Sequence, residues 1–358
     1  MSDAGSLPPP TLLPQYAISA ITTNDLVFRS TGMGLEDPRL QVPATLQRMT
    51  IPPNFIDACP HPDVARVVTR RAEGCYEPGG PIPRPPSTLP PPGHSTLSFS
   101  LGRSLGAGRS GIVFEVLDPC LRDSDSDAPS VPLPPLVAKI GRQDRCQSIV
   151  REGWFYEEME CLQGVAIPRC YGCFELKLSK GCRVGPWEDP RFATFESERS
   201  WDVLPEFEKF IPEVCHDAGW FPHPMLPRLV IERKSLYVLL MERCGHELED
   251  GVSYSAEKDD ILSVYEDVAN LGIFLTDDVR SSNILSAPQC PPGIPSLPSP
   301  FTGRTHNWRV IDFGLALKTP WTKELVFKES RSWVKIMLDG LRHLPRSRHT
   351  TGVSSSSD

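Results

Sequence analysis

A glycine-rich stretch is the first segment of this chain whose residue types could bind a ligand. Residues 106–113 read GAGRSGIV and match G-x-G-x-x-G-x-V, a pattern in which backbone amides without side-chain obstruction can approach phosphate groups. The stretch lies between two segments that read as strands, whereas a dinucleotide-binding fingerprint runs from a strand into a helix. A glycine-rich hairpin turn without a ligand is the alternative. The candidate nucleotide-binding residues are Gly106, Ala107, Gly108, Arg109, Gly111 and Val113.

A lysine follows in a short apolar segment with the sequence VAKI. This segment is close to the V-A-I-K pattern in which the lysine, here Lys139, contacts the α- and β-phosphates of ATP, and Ala138 beside it is a further candidate nucleotide contact. Such a lysine needs a carboxylate to hold it, and Glu152 lies within helical reach of the apolar face of the next predicted helix. Glu157 and Glu158 are rival partners in the same helix. Lys139 and Glu152 are therefore candidate catalytic residues.

Two later segments carry the carboxylate and amide side chains that phosphoryl transfer needs. Asp278 and Asn283 have the spacing D-x-x-x-x-N, in which the aspartate positions the substrate hydroxyl and the asparagine holds a magnesium ion. Arg280 lies between them, where a cation could neutralise charge on the transferred group, although an exposed arginine without function fits equally. Asp312 begins an Asp-Phe-Gly after an apolar strand. We predict Asp278 and Arg280 as catalytic residues and Asn283 and Asp312 as ligands of Mg²⁺, with Mn²⁺ as the alternative ion.

Apolar periodicity indicates which elements position these residues. Alternating and β-branched stretches predict strands on both sides of the glycine-rich turn and around Lys139. Apolar residues spaced three or four apart predict a helix after Lys139, which Gly164 ends. The predicted strands are 97–101, 111–117, 136–140, 170–177 and 236–241, and the predicted helices are 147–163, 256–271 and 323–341.

The four motifs occur in the order and at the spacings of a known superfamily. Together they make the chain resemble the protein kinases, in particular the divergent kinase-like proteins of filamentous and mushroom-forming fungi, over residues 97–341. The resemblance implies an α+β, bilobal protein-kinase-like fold with an antiparallel-sheet small lobe and a reduced, mainly helical large lobe. It also implies a hinge after Met241, with backbone groups of Glu242 and Cys244 facing adenine. The implied activity is transfer of the γ-phosphoryl group of Mg-ATP to a serine or threonine hydroxyl of a protein.

Composition divides the chain into a proline-rich first part, a folded middle and a polar tail. Proline clusters such as those at 8–10 and 90–92 are typical of an extended polyproline segment. The serine-rich end is typical of disorder. We expect a largely disordered arm over 1–95, a small lobe over 96–243 with an insert at about 178–233, a large lobe over 244–343 and a disordered tail over 344–358.

Charge and cysteine use limit the partners and the compartment. The net charge of −8 argues against a general nucleic-acid binder, which usually presents a basic face. The 11 cysteines form no regular framework, and no leader with a charged start and an apolar core precedes them. The longest apolar run, 236–241, is much shorter than the roughly 20 residues of a membrane helix. We expect a cytoplasmic or nuclear protein whose partners are ATP and a protein substrate, without nucleic acid or a membrane.

Several features of the kinase pattern are missing. Thr276 stands where the catalytic-loop histidine is usual, Asp277 stands at the usual arginine place, and no Ala-Pro-Glu signature follows Asp312. These departures favour a second hypothesis, a pseudokinase that binds nucleotide or partners without turnover. The reduced large lobe favours a third hypothesis, a small-molecule kinase.

A cysteine pattern offers a separate metal site. Cys170 and Cys173 form a C-x-x-C, and with Cys161 and Cys182 nearby four thiolates could hold zinc. A second C-x-x-C pair is missing, and the first falls on a predicted strand. Buried free cysteines are therefore the preferred interpretation.

Overall fold

A computed structural model describes residues 13–29, 40–56, 80–108, 110–122, 133–188, 225, 229, 234–249, 253–275 and 279–341. Its helices are α1 (Cys146–Glu158), α2 (Lys258–Ala269) and α3 (Lys323–Leu341). Its strands are β1 (Ile18–Arg29), β2 (Leu40–Arg48), β3 (Ser95–Ala107), β4 (Gly111–Arg122), β5 (Leu136–Gly141), β6 (Cys170–Lys177), β7 (Cys182–Val184), β8 (Ser235–Glu242), β9 (Ile273–Phe274), β10 (Ile284–Ser286), β11 (Trp308–Val310) and β12 (Leu317–Lys318).

Seven of the strands close into a barrel. The order around the barrel is β1-β2-β6-β8-β5-β4-β3, and β3 pairs with β1 to complete the ring. The β1–β3 pairing is parallel and the other pairings in the ring are antiparallel, so the sheet is mixed. Strand β7 pairs with β1 beside the ring.

The expected bilobal protein-kinase-like fold, with an antiparallel-sheet small lobe and a mainly helical large lobe, is therefore wrong. The observed structure is a closed mixed barrel with three helices in the described part of the chain. The difference arises because β1 and β2 lie within residues 1–95, where the proline-rich composition predicted a disordered arm instead of strands. Closure of the barrel depends on these two strands, since they connect β3 on one side with β6 on the other.

The expectation of a largely disordered arm over 1–95 does not hold for residues 18–29 and 40–48, which form strands. β1 and β2 can pair with each other because the proline clusters lie outside both strands. The single proline within β2, Pro43, lies where the β1–β2 register shifts. Proline lacks an N–H group and is tolerated in a sheet at such irregularities. Residues 80–94, in the same expected arm, also make contacts with the segment after α1. Glu160 accepts hydrogen bonds from Ser87 Oγ (2.5 Å) and from the Thr88 N–H (2.7 Å).

Every residue of β5 and β8 is buried, because each strand packs against a different core on each face. Ala138 and Ile140 belong to the core inside the barrel, whereas Val137 belongs to the core between the barrel and the helices. Side chains alternate along a strand, so Lys139 points to the same side as Val137, toward α1. The sheet thus directs a lysine out of the barrel and into the layer that carries Glu152.

A buried histidine ties α2 to the loop that leads into β11. His306 has no exposed surface, and it donates from Nδ1 to Asp260 (2.9 Å) and from Nε2 to Asp267 (2.8 Å). Both ring nitrogens can donate only when the imidazole is protonated. Burial by itself would lower the pKa of His306, but the hydrogen bonds to the two carboxylates outweigh it and raise the pKa to about 9.

The His306 contacts predict a loss of stability at alkaline pH. A histidine whose pKa is raised by folding contributes its full stabilisation below its unfolded pKa, about 6.5, and loses it as the pH rises through the folded value, about 9. We expect the free energy of unfolding, measured by urea denaturation, to fall by roughly 3 kcal/mol across this window. Asp260→Asn removes one carboxylate and should move the decline to lower pH. A flat profile between pH 6.5 and 9 in the unmodified protein would contradict the assignment of a charged His306.

Two further sequence expectations concern the membrane and zinc. No helix among the described residues has the length and apolar character needed to cross a membrane. The described residues also contain no group of three or more His, Cys, Asp or Glu side chains placed to hold a metal ion. Cys170 and Cys173 are buried in β6, and burial raises the pKa of Cys170 to about 12. Burial thus disfavours the thiolate form that zinc binding needs, and the interpretation of free cysteines stays a prediction.

Candidate functional site

The centre of the candidate site is a lysine held between two carboxylates. Lys139 Nζ lies 2.6 Å from Glu152 Oε2 and 2.7 Å from Asp312 Oδ1. The Lys139 and Glu152 side chains are 8% and 1% exposed, whereas that of Asp312 is 37% exposed. Burial by itself would lower the pKa of Lys139, but the two carboxylates raise it above its ordinary value. Lys139 is therefore a fixed ammonium group whose second carboxylate partner is open to solvent.

Helix α1 reaches Lys139 because it packs closely against the barrel. A Cβ at Gly153 would lie 3.0 Å from Ile51 Cδ1 and 3.2 Å from Cys173 Cβ, so a larger residue would push α1 away from the sheet. Glu152 is the neighbour of this glycine and faces β5. The rival Glu157 lies 3.7 Å from Arg84, and Glu158 pairs with Lys318 at 2.6 Å. Of the three carboxylates in α1, Glu152 is thus the one that contacts Lys139.

The glycine-rich turn lies beside Lys139. Strands β3 and β4 remain paired up to Ala107 and Ile112, and the Gly108 N–H donates to the Gly111 carbonyl at 2.9 Å. Val113 is the register partner of Lys139 across β4 and β5. A Cβ at Gly111 would lie 2.7 Å from the Ile140 carbonyl oxygen, so only glycine allows this close approach of the two strands. Arg109, at the tip of the turn, lies outside the described residues.

Asp312 and Asn283 are brought together by a pair of short strands. β10 pairs with β11, and just beyond this pair the Ile311 N–H donates to the Asn283 carbonyl at 3.0 Å. Asp312 follows with a φ of +66°, in the left-handed region that non-glycine residues seldom adopt. Carboxylate and amide oxygens are ligands that Mg²⁺ accepts, so the donor types at these two positions fit the predicted metal.

The predicted catalytic loop is described only in part. Asp278 lies outside the described residues, together with Thr276 and Asp277, so its assignment as the catalytic residue stays a prediction. Arg280 is exposed, and its carbonyl accepts a hydrogen bond from the Asn283 N–H at 3.1 Å. Arg280 is therefore hydrogen-bonded through its main chain to the predicted metal ligand Asn283.

The predicted hinge is largely occupied by hydrogen bonds within the chain. The Glu242 N–H donates to the Arg169 carbonyl (2.9 Å), and the Gly245 N–H donates to the Ser286 carbonyl (2.9 Å). The Glu242 side chain is also engaged, because Arg169 lies 2.7 Å from its carboxylate and both groups are buried. The N–H of Glu242 is therefore not available to adenine, whereas the carboxylate oxygen Oε1 of Glu242 is buried without a hydrogen-bond partner among the described residues.

Sequence reasoning overlooked Arg151, the neighbour of Glu152 in α1. Its side chain is buried and donates to main-chain carbonyls in the segment after Asp312. A helical signal was present, because positions 148, 151, 152 and 155 lie on one face at the usual spacing. An arginine on the buried face of a predicted helix is unusual enough to be noticed.

Comparisons with known proteins assign this chain to no family. No protein-family model matches the chain, and no curated protein matches it. Among solved structures, one with the description "WaaP in complex with acyl carrier protein" is similar, with a TM-score of 0.27 and 11% sequence identity. The match covers 66% of this chain and 70% of that chain. A likeness at this level supports no argument about fold or function, so a functional assignment has to rest on the geometry of the site.

Proposed function

We propose that this chain binds Mg-ATP and transfers its γ-phosphoryl group to a hydroxyl group, with a serine or threonine of a protein as the acceptor. The observation that carries the proposal is Lys139, held by Glu152 on one side and in contact with Asp312 on the other. A lysine fixed in this way can orient phosphates, and catalysis of phosphoryl transfer consists mainly of positioning and charge neutralisation. The proposal depends on this site and not on the fold class.

Each part of the site has a separate task. The glycine-rich turn beside Lys139 would offer backbone N–H groups other than that of Gly108 to the phosphates, and Glu152 keeps the ammonium group in place. Asp312 and Asn283 would hold Mg²⁺ or Mn²⁺, and the bound ion would supply neutralisation of the phosphate charge. Asp278 would accept the proton of the acceptor hydroxyl.

A specific departure favours a second candidate function, that of a pseudokinase. Thr276 stands where a histidine is usual in catalytic loops of the kinase type. Threonine is too short to make the contacts of the histidine, so the catalytic loop would be less well fixed. Such a protein would bind nucleotide without transferring phosphate.

Metal dependence of nucleotide binding is the first test. We expect ATP to raise the melting temperature more in the presence of Mg²⁺ than in chelator, because a ligand that binds the folded state more tightly stabilises it more. Adenosine, which lacks phosphates, is the control and should show no effect of Mg²⁺. An equal shift by ATP with Mg²⁺ and with chelator would count against a metal site at Asp312 and Asn283.

Transfer of labelled phosphate from ATP is the second test. Purified protein is incubated with Mg²⁺ or Mn²⁺ and with generic protein substrates or small alcohols. Label on serine or threonine of protein supports the proposed acceptor, and label on the alcohols supports a small-molecule kinase. Nucleotide binding without any transfer supports the pseudokinase.

A further inference from the structure

We propose that Arg151 is a positioning residue for the metal-binding carboxylate of Asp312, an inference that rests on the proposed function. The guanidinium of Arg151 holds the main chain two and four residues after Asp312, at Gly314 and Ala316. Its role would be to fix the backbone conformation in which Asp312 faces Lys139.

The contacts of Arg151 define two peptide groups in the segment after Asp312. Arg151 Nε donates to the Gly314 carbonyl at 3.2 Å, and Nη2 donates to the Ala316 carbonyl at 2.9 Å. The residue is 4% exposed, and both bonds are buried. A planar guanidinium that binds two carbonyls fixes both the distance and the orientation of the segment, which a single ammonium group cannot do.

Other residues of α1 also contact the segment after Asp312, but their contacts do not determine the direction in which its carbonyl groups point. Tyr156 packs edge-on against Phe313 with ring centroids 5.3 Å apart. Gly314 lies close to α1, since a Cβ on it would be 3.5 Å from the Ser148 carbonyl oxygen. These are packing contacts, whereas the Arg151 hydrogen bonds specify where two carbonyl groups point.

The conformation of Asp312 explains why this support is needed. Its φ of +66° lies in a sparsely populated region that is unfavourable for a residue with a side chain. Such a conformation persists only where the surrounding structure holds it in place. Without the Arg151 bonds, the backbone would relax, and the Asp312 carboxylate would leave the position 2.7 Å from Lys139.

A matched control separates this role from a general contribution to stability. Arg48 likewise donates to main-chain carbonyls, from Nε to that of Ile18 (2.6 Å) and from Nη2 to those of Gln15 (3.1 Å) and Tyr171. It belongs to β2, and its partners lie in β1, in β6 and in the segment before β1 rather than in β10, β11 or the segment after Asp312. Arg151→Met and Arg48→Met thus remove the same kind of donor to main-chain carbonyls from two different places.

The experiment is a calorimetric titration of the full chain with ATP, in chelator and at increasing Mg²⁺. Both variants should lower the free energy of unfolding. Arg151→Met should leave ATP affinity in chelator close to that of the unmodified protein and raise the Mg²⁺ concentration for half-maximal enhancement about 10–100-fold, the usual effect of losing a group that orients a metal ligand. Arg48→Met should leave that Mg²⁺ concentration unchanged. Arg151→Lys keeps one donor and should give a smaller increase.

The outcomes distinguish this inference from the proposed function. ATP binding by the unmodified protein that ignores Mg²⁺, or no binding at all, means that the proposed function fails. Normal Mg²⁺ dependence with the same half-maximal concentration in Arg151→Met overturns the role of Arg151 alone. Where Arg151→Met does not fold, an unchanged Mg²⁺ requirement in Arg151→Lys overturns it equally. An equal increase in Arg48→Met would mean that general destabilisation causes the effect, and it would also overturn the role of Arg151.

Discussion

Lys139→Met is expected to abolish detectable ATP binding and to lower the free energy of unfolding by about 3–5 kcal/mol. Binding is lost because the ammonium group that would orient the phosphates is removed. Stability is lost because Glu152, 1% exposed, keeps its charge without its 2.6 Å partner in a buried place. Calorimetric titration with Mg-ATP and urea denaturation measure the two effects separately.

The structure provides a control for the stability effect of this change. Lys318 has the same kind of environment, since its buried ammonium lies 2.6 Å from Glu158 and donates to the Leu271 carbonyl at 2.7 Å. Lys318→Met should reduce stability similarly but leave ATP binding intact. The double variant Lys139→Met/Glu152→Leu removes both buried charges and should recover stability without recovering binding. ATP affinity close to that of the unmodified protein in Lys139→Met would refute the assignment of Lys139.

Asp278→Asn is expected to reduce phosphoryl transfer about 10²–10⁴-fold and to leave ATP affinity nearly unchanged. The amide keeps the size of the side chain but cannot accept the proton of the attacking hydroxyl. The ATP contacts assigned to Lys139 and Asp312 are not altered. Single-turnover measurement of labelled phosphate, at saturating Mg-ATP, isolates the chemical step from binding.

The neighbouring aspartate is the matched control for this variant. Asp277→Asn makes the same chemical change one position earlier and should leave the transfer rate close to normal. Equal losses in the two variants would show that the loop tolerates no change there and that Asp278 has no special role. Loss of ATP binding in Asp278→Asn, as severe as in Lys139→Met, would mean that the catalytic loop is assigned wrongly.

Local periodicity was sufficient to predict several of the observed elements, including the strand that carries Lys139. The predicted helix 323–341 and the predicted strand 170–177 have the bounds of α3 and β6, and the strand predicted at 136–140 is β5 with one more residue. These elements were predictable because alternation and helical spacing depend only on which faces of a segment are buried. The pattern around Lys139 also predicted a turn, a strand and a helix in the observed order.

The choice of partner for Lys139 needed the tertiary structure. Glu152, Glu157 and Glu158 lie in one helix, and their sequence positions alone do not tell which of them faces β5. The choice depends on how α1 is rotated and how closely Gly153 lets it approach the barrel. The same holds for Asp312, whose contact with Lys139 spans 173 residues and whose φ of +66° depends on the contacts of the segment after it.

The closed barrel was the largest difference between the expected and the observed structure. Its closure depends on the parallel pairing of β1 with β3, two segments separated by the proline-rich part of the chain. No local pattern encodes such a pairing, because each strand shows only that it has a buried face and not which strand lies beside it. The sequence alone therefore established the kinds of residues and the elements that carry them. The long-range packing of β1, α1 and the segment after Asp312 decided the architecture and which of those residues meet.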